Sequence, residues 1–122
     1  MKKIALLIAV SLVLFSCDTD DPVPSEELPG WLVSRIQSDE QFIEKSPRSY
    51  PAWGAWVRFE WNSEFYYEYW NLLSSSFPFP ISHSGDTLRY LTDKADSEYM
   101  SERCCQKYVW KGPNVKDWMY DH

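Results

Sequence analysis

A chain of 122 residues with eighteen acidic and twelve basic side chains, formal charge −6, lacks the clustered Lys and Arg that nucleic acid or an anionic membrane surface requires of a partner. Its length supports one modest core and not two. Seven Trp, eight Tyr and six Phe exceed what one small core hides completely.

Lys2 and Lys3 precede a mostly apolar run from Ile4 to Phe15, and the small residue Ser16 stands just before Cys17. A charged start, a short apolar stretch and a small residue at the cut make a secretory signal over residues 1–16. As a helix, the run from Ile4 to Phe15 would extend roughly 18 Å, short of the ~30 Å hydrocarbon core of a bilayer. A permanent span is therefore the weaker expectation. Leu14-Phe15-Ser16-Cys17 resembles the lipobox of bacterial lipoproteins, with Phe15 where a smaller residue is usual. The resemblance implies lipid attachment at Cys17, as a diacylglycerol on the thiol, and cleavage in front of it. The alternative is an ordinary secreted protein cut near Ser16, leaving Cys17 a free thiol. One acyl chain holds a protein marginally; two or three hold it stably.

Residues 17–28 follow as an acidic tether. Asp18, Asp20, Asp21, Glu26 and Glu27, with Pro22 and Pro24, build no core. From residue 18 to 28 the reach is at most about 35 Å. The acidic run after Cys17 resembles the surface-export signal of Bacteroidetes lipoproteins; in enterobacteria-like systems an Asp there resembles an inner-membrane retention signal. We expect a cell-envelope protein, lipid-anchored in the outer membrane on its periplasmic or surface face. Removing residues 1–16 takes Lys2 and Lys3 away, leaving ten basic and eighteen acidic residues and a charge of −8.

Residues 29–122 read as a single small α+β domain. A helix is expected over residues 29–45, with Pro29 in its first turn. Trp31, Leu32, Ile36, Phe42 and Ile43 form its apolar face, and Ser46-Pro47 stops it. Val57, Phe59 and Trp61 alternate with Arg58 and Glu60; Phe65, Tyr67 and Tyr69 alternate with Tyr66 and Glu68. These are two strands of a hairpin. A three-residue loop over 62–64 would pair Trp61 with Phe65, Phe59 with Tyr67 and Val57 with Tyr69, joining the apolar stripes; Arg58 would face Glu68 and Trp56 would face Trp70. A two-residue loop would set an apolar stripe beside a charged one, and the stripe match favours the longer loop. Beyond a loop over 72–80, the Ser84-Gly85-Asp86 turn suggests a strand at 86–92. Residues 93–103 are expected to be irregular with one helical turn. A last strand covers 105–110, Gly112-Pro113 stops it, and Trp118, Met119 and Tyr120 suggest a docked tail. The expected fold is an N-terminal amphipathic helix packed on a small antiparallel β-meander. Pro29-Gly30-Trp31-Leu32 and Glu60-Trp61-Asn62-Ser63-Glu64 resemble the small uncharacterised domains of Bacteroidetes lipoproteins, which imply no activity.

Candidate chemistry is thin. Cys104 and Cys105 are a candidate disulfide pair in an oxidising envelope. Neighbouring Cα atoms, however, sit ~3.8 Å apart, below the usual ~4.4 Å for a bridge. On a strand, one thiol would be buried and the other exposed. Metal binding by Cys104, Cys105, His83 and His122 is disfavoured, because zinc cysteines are normally spaced two to four residues apart; no metal and no cofactor are expected. A nucleophile using His83 has no supporting motif. Glu60, Glu64 and Glu68 are better explained as solvated strand carboxylates than as a glycosidase pair. Surplus aromatics offer a candidate binding platform, Trp56, Tyr66 and Trp70, on the hairpin's second face. The expectation is a non-enzymatic, lipid-anchored envelope protein that binds a protein partner or acts as an accessory subunit. The alternative is a glycan-binding module using that platform.

Overall fold

The computed structural model describes residues 22–75, 78–88 and 93–116. The signal segment, Cys17 and its acidic neighbours to Asp21, positions 89–92, the tail from 117 and His122 lie outside the described residues. Helix α1 spans Gly30–Lys45. The Pro29 carbonyl accepts the N–H groups of Leu32 and Val33, at 3.0 and 3.2 Å. At the other end Ser46 N–H donates to Phe42 O at 2.9 Å before Pro47 forbids another turn. Leu32 is fully buried, while Trp31 and Ile36 are half-buried beside it. Phe42, expected on the buried face, is 56% exposed.

Strands β1 (Gly54–Trp61), β2 (Glu64–Asn71), β3 (Ile81–Ser82) and β4 (Cys104–Lys111) form one antiparallel sheet in the order β3-β2-β1-β4. The α+β class stands. The last strand does not extend a meander: it returns beside the first, which is Greek-key order.

The hairpin register differs from the expected one. Trp61 pairs with Glu64, Phe59 with Tyr66, Arg58 with Tyr67, Val57 with Glu68 and Ala55 with Trp70, across a two-residue turn. Asn62 and Ser63 have φ of +50° and +62°, the left-handed pair whose twist matches that of the flanking strands. Stripe matching assumed that one face of the hairpin meets water. Both faces are covered. Trp31 of α1 packs edge-on against Trp56 and Tyr67 on one face. On the other, Tyr99 packs against Trp61 and Tyr66. Six successive residues of β1, Gly54 to Phe59, are therefore buried, and alternation carries little register information there.

Tyr99 belongs to helix α2, Asp93–Glu102, where irregular chain with one helical turn was expected. Beyond Ser82 the turn is closed by Gly85 N–H on Ser82 O at 2.9 Å, with Gly85 at φ +98°. A strand lies before the turn, at Ile81–Ser82, and Thr87 makes an isolated bridge to Ile81; of the strand expected at 86–92, positions 89–92 lie outside the described residues. The tether also ends earlier than expected. Val23 is 5% exposed, its N–H donates to Tyr108 O at 3.0 Å, and Ser25–Glu27 is a 3-10 turn. Val23 thus packs with the folded body, ahead of the boundary expected at residue 29. At the other end Gly112 N–H donates to Gly54 O at 2.7 Å, and a Cβ at 112 would stand 2.5 Å from Ala52 O. Only glycine permits that approach.

Candidate binding cleft

A cleft of about 310 Å³ lies between α1 and the β3 side of the sheet, lined by Arg35, Asp39, Tyr50, Pro51, Trp56, Tyr69 and Ile81. Its volume is at the small end of ligand pockets. Arg35 and Asp39 sit four residues apart on α1 and so share a face. Trp56 and Tyr69 are opposite each other in the β1–β2 register, with ring centroids 5.2 Å apart. Gly54 makes room for the phenol: a Cβ there would come 2.2 Å from Tyr69 Oη. Asn71 fixes the wall. Its Nδ2 donates to Tyr69 Oη at 3.1 Å and to Tyr50 O at 2.9 Å, and its Oδ1 accepts Leu73 N–H at 2.9 Å.

The electrostatics are those of a semi-dry recess. Burial pushes the Asp39 carboxyl above its ordinary value, an effect Arg35 partly offsets. Burial also raises the Tyr69 phenol, against the Asn71 hydrogen bond. Trp56 is 3% exposed, and its Nε1–H has no hydrogen-bond partner among the described residues. A buried donor without an acceptor is costly. Aromatic side chains and one acid–base pair are means of recognition. Among the described residues that line it there is no Ser, Cys or His nucleophile.

The expected platform does not form. The two-residue register puts Trp56 on the α1 face and Tyr66 with Trp70 on the α2 face, and Trp56 and Tyr66 are 3% and 8% exposed. Trp56 reaches the cleft in other company. Glu68, expected to be solvated, is 2% exposed; its Oε2 accepts the Tyr99 hydroxyl at 2.5 Å and pairs with Arg103, whose guanidinium lies 4.0 Å from the Phe59 ring centroid. This is a buried structural cluster. His83 Nδ1 meets the Tyr67 hydroxyl at 3.0 Å, and its carbonyl accepts Trp31 Nε1–H at 3.1 Å. Cys104 and Cys105 are both exposed and joined to each other as a vicinal disulfide. Arg35, Asp39, Tyr50 and Tyr69 carried no individual sequence signal; the i, i+4 spacing of Arg35 and Asp39 was the one hint.

No protein-family model matches the chain, and no curated protein or solved structure matches it.

Proposed function

We propose that the protein is a non-enzymatic, lipid-anchored binding protein of the cell envelope, held in the outer membrane by acyl chains on Cys17. In this reading α1 laid on the sheet forms a small body presented to a membrane-associated protein partner, or the body serves as an accessory subunit. The observation that carries it is the docking of Val23 beside Tyr108. With Val23 docked, six residues past Cys17, the connection is at most about 20 Å long. A body held that closely meets partners fixed in the same surface. Tyr50 and Leu73, 50% and 59% exposed, are both tied to Asn71 and give the cleft rim an apolar surface of the kind interfaces use.

The Cys17→Ser chain is expected to leave the membrane fraction entirely and to lose labelling by palmitate. A photo-crosslinker at position 73 should give a discrete adduct in intact cells that disappears with Cys17→Ser. A Cys17→Ser chain that stays in membranes, or an adduct indifferent to the anchor, would overturn the reading.

A second reading, a glycan-binding module, draws support from the aromatic and charged lining of the cleft. Sugar rings present apolar faces for Tyr50 and Tyr69 and hydroxyls for Arg35 and Asp39. A neutral oligosaccharide should then shift Trp fluorescence, and Asp39→Asn should weaken binding about tenfold, the worth of one good hydrogen bond. Titration without a shift at millimolar sugar would end this reading.

A further inference from the structure

Adjacent residues on a strand point to opposite faces, so Cys104 and Cys105 should be separated by the sheet. They are not. Cys105 has φ of +66°, a left-handed conformation that non-glycine residues adopt at a cost. The β1–β4 ladder shifts register between Arg58 and Glu60, and Cys104 lies opposite Glu60. This irregularity brings both sulfurs to one place. One carboxylate oxygen of Glu60 and the Sγ atoms of Cys104 and Cys105 lie within 4.8 Å of one another, all on exposed residues. Glu60 has no ion pair or hydrogen bond of its own among the described residues. An unusual backbone angle that gathers reactive side chains is a pointer to function.

We propose that Glu60, Cys104 and Cys105 form a redox-gated site for a thiophilic divalent cation. In the disulfide the sulfurs are neutral and bonded to each other, and the site is closed. A dithiol opens it by exchange: its thiolate attacks one sulfur and expels the other cysteine as a thiolate, and its second thiol then closes the dithiol's own disulfide and frees the cysteine that was attacked. Two electrons and two protons pass to Cys104 and Cys105, and the dithiol becomes a disulfide. The cation then displaces both thiol protons and is held by two thiolates and the Glu60 carboxylate. Three anionic ligands, two of them soft sulfur, select a zinc- or cadmium-like ion over magnesium or calcium. In a tetrahedral zinc-type site two thiolates stand about 3.8 Å apart at ~2.3 Å from the metal. On reduction the two exposed sulfurs part from their bonded distance to that spacing, with the Glu60 oxygen already within 4.8 Å of both. The fourth position is left to water, and the site is independent of the binding cleft.

The test uses the full chain with Cys17→Ser, so that its third cysteine contributes no thiol, and cadmium ion as the probe under anaerobic conditions. After reduction by a phosphine, which becomes its oxide, about one cadmium per chain should bind. It should give a near-ultraviolet thiolate-to-cadmium band and shield both cysteines from maleimide. The oxidised chain should give no band. Cys105→Ser should weaken binding by about a hundredfold, with Cys104→Ser as the companion if the first variant misfolds, and Glu60→Gln by about tenfold. A reduced chain without the band, or single-cysteine variants that bind as tightly as the parent, would overturn the proposal. Unchanged affinity in Glu60→Gln would remove the carboxylate from the site and with it the proposal as stated.

Discussion

Replacing Arg103 by Ala lowers stability by about 3–5 kcal/mol, the cost of leaving a buried charge without its partner. Glu68 has little recourse to water: it is 2% exposed on a strand in the middle of the sheet. Its neighbours are the Tyr99 hydroxyl at 2.5 Å and the Arg103 guanidinium. The same substitution removes a cation stacked 4.0 Å from the Phe59 centroid, so packing is lost along with charge. Domains of this size have about 5–15 kcal/mol in total, so the loss is a large fraction of the whole. Urea unfolding at neutral pH measures it as a lowered midpoint. The double variant Glu68→Leu with Arg103→Met should recover most of the loss, since replacing a buried ion pair by apolar side chains is often neutral or stabilising. A single Arg103→Ala variant that costs under about 1 kcal/mol would mean that the pair behaves as an exposed one and that α2 does not cover it.

Alkaline pH gives the second large effect. Burial and the adjacent Glu68 carboxylate push the Tyr99 phenol far above its ordinary value. Burial also raises Tyr66, Tyr67 and Tyr69. In the unfolded chain these phenols release protons as pH passes about 10; in the folded chain they keep them. The stabilisation is therefore complete below pH ~10 and declines above it, as the unfolded state binds fewer protons than the native one. Tyr99 alone contributes a slope of about 1.4 kcal/mol per pH unit over that range, and the other three steepen it. Urea midpoints should stay level from about pH 8 to 9.5 and fall steeply by about pH 11, while Tyr99→Phe should remove its share of the slope. Midpoints level through about pH 11.5 would show that the phenols titrate normally and that Tyr99 is not held against Glu68.

Local chemistry was enough for some elements. Pro29 and Ser46-Pro47 bracket α1 because proline restricts the chain on both sides of itself. Asn62-Ser63 separates two aromatic-rich strands, and Gly112-Pro113 ends β4 where only a hydrogen fits against Ala52 O. The lipobox-like run ending at Cys17 is likewise a linear feature, open to inspection without a fold. Helix α2 was expected as no more than one turn because the segment around Tyr99 is polar and its buried anchor gains meaning only when Trp61 and Tyr66 stand opposite. The hairpin register was misjudged for the same cause: Glu68 looks solvent-facing until Arg103, thirty-five residues on, arrives to pair with it.

What the amino-acid order determined by itself was the helix of residues 30–45, the hairpin strands and β4, each written in periodicity and breakers over a few neighbouring positions. Only the tertiary structure decided the register, the docking of Val23, the gathering of Cys104 and Cys105 beside Glu60, and a cleft assembled from α1, the Tyr50–Trp53 turn and three strands. Periodicity reports which face of an element is buried and never against what. The sites of this protein are made of contacts between segments far apart in the chain, and those contacts exist only once both faces of the sheet are covered.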